Sequence, residues 1–234
     1  MKWHVIRDIR CYMEDVTVPE PSFTVDLARI CQRYWGKLRE LGFQTPGYHH
    51  VYLTLSANRA SSDVNIVPFL EWCANIKLGF PSIGDDTSEN EKHDLLVRFV
   101  AKAFKQLCKR DSLDYPKVEK TKKLLLTYRT ELESVHLLKE TGGYRVTISF
   151  QVCPHGGPSL AFVGYNDKKA ERIGKKILTE LTLYEDLHWI ASSIVVKNGV
   201  VEIRPRTSRK ARFWSRLYKV PFKIQITDLL RSAP

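Results

Sequence analysis

The sequence predicts an α+β protein, because three kinds of pattern alternate along its 234 residues. Long stretches repeat apolar residues by threes and fours, as amphipathic helices do. Short runs rich in β-branched and aromatic residues read as strands, and turns marked by Gly, Pro or Asn separate them. With 43% apolar and 27% charged residues, the chain can bury one large core or two smaller ones of roughly 100 to 150 residues each. The expected architecture is antiparallel strands, in a meander and an Asn-Gly hairpin, flanked by amphipathic helices. Two similar subdomains, 1–112 and 113–234, or one continuous domain both fit, since the polar stretch 111–116 reads as a boundary or as a loop within one domain.

The elements follow in order. After Pro19 and Pro21, the residues Phe23, Leu27, Ile30, Cys31, Tyr34, Trp35, Leu38 and Leu41 form one helical stripe that Gly42 stops. YHHVYLTL at 48–55 reads as a strand, and 74–80 as a second that ends at Pro81. Ser88 and Glu91 form a capping box, beyond which Leu95, Leu96, Phe99, Val100, Ala103, Phe104, Leu107 and Cys108 continue at helical spacing. Pro116 suits the first position of a further helix running to about residue 130. Gly142-Gly143 and the turn 155–158 bracket a strand at 144–152, and 160–165 makes the returning strand, so the turns read as a meander.

A helix over 167–184 is expected to turn Ala170, Ile173, Ile177, Leu178 and Leu181 inward. In VVKNGVV at 195–201, Asn198-Gly199 supplies the two positive-φ positions of a type I′ hairpin. A strand at 222–226 closes the sheet. Each half thus runs strand, strand, helix, an order that suggests a pseudo-repeat without residue identity. The expected core includes Trp35, Leu38, Phe99, Phe104, Ile173 and Leu181.

Charge divides the chain unevenly. Through Lys117 there are 16 Lys/Arg against 15 Asp/Glu, a net of +1; from Val118 onward 21 stand against 11, a net of +10, giving +11 in all. Such a surplus points to an acidic partner. No apolar run approaches the ~18 residues that a membrane span needs, and the first residues lack the apolar core of a secretory signal, so no membrane insertion is expected. Cys11, Cys31, Cys73, Cys108 and Cys153 are an odd set with no C-x-x-C pair, which suggests a reducing, cytoplasmic setting.

Chemical motifs are sparse. Glu133 with His136 and Glu185 with His188 have the i,i+3 spacing of carboxylate-bridged metal sites, but those sites need long helices, and here both pairs lie beside turns. Cys153-Pro154-His155 reads as a turn without a second ligand pair. His49-His50, taken as strand residues, is expected to put one imidazole on each face. No nucleophile elbow, phosphate loop or dinucleotide fingerprint occurs. No metal, cofactor or catalytic set is assigned, and catalysis from an unfamiliar constellation stays open.

The strongest constellation lies at 204–223. Arg204, Arg206, Arg209, Lys210, Arg212, Arg216, Lys219 and Lys223 interleave there with Phe213, Trp214, Tyr218 and Phe222, and no acid intervenes. Capped by Thr207 or Ser208, a short helix would align Arg209, Arg212, Arg216 and Lys219 on one face and turn Ala211, Trp214 and Tyr218 the other way. A second basic face is expected on the helix after Asp167, from Lys168, Arg172, Lys175 and Lys176. Such a ridge suits nucleic acid through phosphate neutralisation and stacking. It suits an acidic protein through Arg and aromatic hot spots, and it also suits a plain solvated helix. No known nucleic-acid motif is present to favour the first.

In layout, the run Tyr48-His49-His50-Val51-Tyr52-Leu53, the segment 72–80 leading through Ser88 into a helix near Glu91, and the closing KNGVVEIRPRTSRKARFWSRLYKVPFKIQI resemble bacterial polymorphic-toxin immunity proteins. The resemblance extends over most of the chain. Those proteins share no functional signature, so it transfers no residue role. It implies a non-catalytic cytoplasmic protein that binds and blocks one toxin, with the basic second half facing an acidic surface.

Overall fold

A computed structural model describes residues 2–14, 21–56, 58–60, 64–81, 83, 86–153 and 157–231. The fold is α+β, and the chain divides into two compact units, one running to Leu132 and one from Glu133 onward, residues 154–156 aside.

The first unit contains β1 (Trp3–Val5), β2 (Asp8–Met13), α1 (Pro21–Glu40), β3 (Gln44–Pro46), β4 (His50–Ser56), β5 (Val64–Leu70), β6 (Cys73–Gly79), α2 (Glu89–Asp111) and α3 (Tyr115–Tyr128). β2, β4 and β6 pair in parallel, and β5 adds an antiparallel edge in the order β2-β4-β6-β5. Parallel neighbours require a crossover, which α1 supplies between β2 and β4. Gly42 ends α1 as the spacing predicts: its φ of 67° lets its N–H reach the Arg39 carbonyl while Phe43 N–H reaches that of Leu38. The Ser88–Glu91 capping box opens α2. One sheet face, with Ile9, Val51, Leu53, Leu55, Ile76 and Leu78, is buried against the helices. Phe104 of α2 sits fully buried, its ring 6.0 Å from Tyr34 and 6.1 Å from Phe43.

Two expectations change here. The stretch 111–116 is the end of α2, the short connection 112–114 and the start of α3, all inside this unit, because α3 packs on α1 and α2. The division therefore falls after Leu132. His49 precedes β4, so strand alternation does not separate it from His50; their ring centroids are 4.6 Å apart, and both lie near Trp72.

The second unit contains β7 (Glu133–Glu140), β8 (Tyr144–Gln151), β9 (Ser159–Asp167), β10 (Arg172–Leu181), α4 (Leu187–Ile190), β11 (Ser193–Lys197), β12 (Val200–Arg204), α5 (Arg209–Trp214), β13 (Phe222–Gln225) and α6 (Ile226–Arg231). β7 to β10 form an antiparallel meander, and β11-β12-β13 a second sheet. Asn198 and Gly199 have φ of 51° and 73°, the paired positive values that a type I′ turn requires. Val146, Ile148, Phe150, Ala161, Val163, Val201 and Ile203 are buried. The chain at 154–156, which the sequence reading gave to a turn, lies outside the described residues.

The helix expected over 167–184 is the strand β10. The first residue of that expected helix, Asp167, accepts hydrogen bonds from the Lys169 and Ala170 N–H groups at 3.0 and 3.1 Å. That Asx chemistry starts a tight turn as readily as a helix. Glu171 then takes a φ of 52° and the chain reverses onto β9. Consequently Ile173 and Ile177 are 65% and 53% exposed rather than core, whereas Leu181, Trp35, Leu38, Phe99 and Phe104 are buried as expected. The second unit has no long helix among its described residues, so the strand, strand, helix repeat does not hold.

Gly174 shows what fixes β10 in place. A Cβ there would collide with the backbone of Leu229 and Leu230 in α6. Gly174→Ala is expected to destabilise the protein by about 1 to 3 kcal/mol in denaturant unfolding, as overpacking does. Ile173→Ser should stay within about 0.5 kcal/mol of the wild type.

Candidate functional site

After β12 the chain leaves its sheet at Arg204, and backbone bonds set the next turn. Arg206 N–H donates to the Trp189 carbonyl at 2.9 Å, and its guanidinium Nε donates to the His188 carbonyl at 2.9 Å. Ser208, not Thr207, then caps α5, its Oγ accepting from Ala211 N–H at 3.2 Å. Ala211 and Ser215 are buried, and the Ser215 hydroxyl donates to the Ala211 carbonyl. Trp214 and Tyr218 are half-buried, so the underside expected from the sequence is the side that faces the protein.

A buried carboxylate pins the far end. The Tyr218 hydroxyl donates to Asp186 Oδ2 at 2.5 Å and accepts from Thr182 N–H at 3.1 Å, while Leu183 N–H donates to the same carboxylate oxygen. Asp186 is buried, and burial followed by the Asp186 bond raises the pKa of the Tyr218 phenol. Nothing in the residue spacing identified Asp186, because this contact spans 32 positions. Tyr218→Phe would leave the carboxylate short of a donor. Its expected cost is about 1 to 3 kcal/mol in unfolding free energy, with faster amide exchange through 209–217.

The outward face is cationic and apolar together. Arg209, Lys210, Arg212, Arg216 and Lys219 are exposed, and Arg209, Arg212, Arg216 and Lys219 form no ion pair with any described residue. Among them Phe213 and Leu217 each stand 64% exposed. Positions 209, 213 and 217 are four apart and fall on one side of the turn-by-turn path, with 212 and 216 beside them. Sequence reasoning counted the cations but missed Leu217, because a lone leucine carries no signal of which way it points.

Other predicted cations are engaged or distant. Arg204 pairs with Glu202 at 2.9 Å, and Lys210 lies over the Trp189 ring at 5.1 Å from its centroid. Lys168, Arg172 and Lys176 do not share a helical face, since the segment is a turn and a strand. Lys168 pairs with Glu140 at 2.6 Å, and Lys175 is drawn to Glu133 on the opposite strand face from Lys176. Thr182 touches the α5 end of the unit, so at about 3.3 Å per residue Lys176 lies roughly 20 Å and Arg172 roughly 30 Å from that end.

The histidine pairs form no metal set. Glu133 accepts from Ser149 at 2.8 Å, whereas His136 Nε2 lies 2.9 Å from the Ala191 carbonyl. The His136 and His188 rings approach to 6.4 Å, and His188 meets the Arg206 guanidinium. Among the described residues, no three His, Cys, Asp or Glu side chains converge as a metal site would need. No described helix is long and apolar enough to cross a membrane, and all five cysteines are free thiols. Comparison with protein-family models, with curated proteins and with solved structures finds no match to this chain.

Proposed function

We propose that this chain is a non-catalytic binding protein that neutralises an acidic protein partner, in the manner of a toxin-immunity protein, through the outward face of α5 and the turn that follows it. The observation that carries the reading is the set of cations at Arg209, Arg212, Arg216 and Lys219, unpaired among the described residues, interleaved with the exposed Phe213 and Leu217. Exposed apolar side chains ringed by guanidinium groups are the composition of a protein-interface hot spot, where apolar anchors supply affinity and the surrounding charge supplies rate and register. Phosphate recognition alone would leave Leu217 without a role. The second unit holds 17 Lys/Arg against 9 Asp/Glu, a net of +8, so its field would draw an acidic surface toward this face.

A photocrosslinking residue in place of Leu217, activated in the native cells, tests the reading. The expected product is an adduct with one acidic protein that survives nuclease treatment. An adduct that nuclease digests would transfer the face to nucleic acid, the alternative partner.

A further inference from the structure

The first unit holds a cavity of about 140 Å³ between α1, the start of α2 and the 3-10 turn Arg129–Glu131. Its walls are cationic. Arg29 and Arg33 reach it from one stripe of α1, Lys92 and His93 from the first turns of α2, and Arg129 from the turn, against the carboxylates of Asp26 and Glu89. Asp26 neutralises Lys92 at 2.6 Å, and Asp94, behind the wall, lies 3.5 Å from Arg129. Among the described residues, with Asp94 included, four fixed cations stand against three carboxylates.

Two buried nitrogens in this wall have no hydrogen-bond partner among the described residues: Nε2 of His93 and Nε of Arg129. Buried polar atoms are nearly always paired, so two orphans at one cavity mark a place where a ligand completes the set. The guanidinium of Arg33, a residue only 3% exposed, stands beside them. Arg129 itself adopts φ 45° and ψ −119°, a conformation that non-glycine residues rarely take. The surrounding structure thus holds this arginine in place at a conformational cost, a pattern that gathers at ligand clamps.

The polar groups come from three separate elements, an arrangement that suits a multi-oxygen anion such as a tetrahedral oxyanion. His93 adds a further restriction. Its Nδ1 lies 3.3 Å from Asp94 Oδ1, which selects the tautomer with the proton on Nδ1 and leaves the buried Nε2 of this cavity-lining ring as an acceptor. Burial first, and then the charges of Arg33 and Arg129, hold the imidazole below its ordinary pKa and so in the neutral form, against the opposing pull of Asp94. A neutral His93 therefore needs a ligand that brings its own proton. Phosphate and phosphomonoesters carry an acidic P–OH near neutral pH, whereas sulfate does not.

We propose that this cavity binds a phosphoryl group, free or at the end of a small molecule, with Arg33 and Arg129 on its oxygens and His93 Nε2 accepting its P–OH. Calorimetric titration of the full chain with inorganic phosphate, methyl phosphate and sulfate at matched ionic strength tests this. Phosphate is expected to bind about tenfold or more tightly than sulfate, and to raise the melting temperature where sulfate does not. Methyl phosphate binding as well as phosphate would identify a terminal phosphoryl group as the ligand, and its failure to bind would identify the free anion. Arg129→Gly removes the cation while suiting the local backbone. This variant should melt no lower than the wild type yet bind phosphate about tenfold more weakly, the worth of one charge-assisted contact. Absence of phosphate binding, equal binding of sulfate, or undiminished binding by a folded Arg129→Gly variant would overturn the proposal.

Discussion

Arg209, Arg212 and Arg216 replaced together by glutamate are expected to lower partner affinity at least about a hundredfold, close to 2.7 kcal/mol, while the protein stays folded. All three are exposed and make no ion pair with a described residue, so each reversal should alter stability by only about 0.5 kcal/mol. At the contact the balance differs. Like charges facing an acidic surface cost several kcal/mol through repulsion, on top of the attraction lost. A titration of the captured partner against the wild type and the triple variant, with melting curves for both, separates the two effects. Unchanged affinity in the triple variant would leave α5 as a solvated helix and remove the charge argument.

Phe104→Ala carries the largest expected effect on stability, about 3 to 5 kcal/mol in denaturant unfolding. The ring is fully buried between Tyr34 of α1 and Phe43, which follows α1. Removing it forfeits the transfer energy of the side chain and leaves a cavity between elements already locked by the sheet. Aromatic pairing adds to that loss beyond the area buried. A cost under about 1 kcal/mol would mean that the ring does not occupy this core.

The parts of the fold legible in the sequence are those set by neighbours along the chain. The Gly42 stop, the Ser88–Glu91 box and the Asn198-Gly199 turn each depend on a few adjacent residues, and each forms as the spacing predicts. β10 was misread because Ile173, Ile177 and Leu181 recur by fours and Asp167 can start either a helix or a turn. Pairing with β9 decided between them, and pairing is not written locally. The parallel set β2-β4-β6 was unreadable for the same reason, since no hairpin turn joins such neighbours.

The candidate sites divide along the same line. Charge along 204–223 is visible in a linear count, so the cations of α5 could be named in advance. Which of them remain unpaired depended on Glu202, His188 and Trp189, whose positions only the fold supplies. The cationic cavity of the first unit was invisible because Arg33, His93 and Arg129 come from three separate elements. Arg33 in particular reads as an ordinary polar interruption of the α1 stripe, yet it is buried.

Amide hydrogen exchange on the complex with the captured partner tests most directly whether the outward face of α5 is the binding surface. Partner addition should slow exchange through residues 209–219, and leave the exposed edge at 172–177, with its separate cations, unchanged. Protection confined to β10 or to the first unit, with 209–219 exchanging as in the free protein, would contradict the assignment.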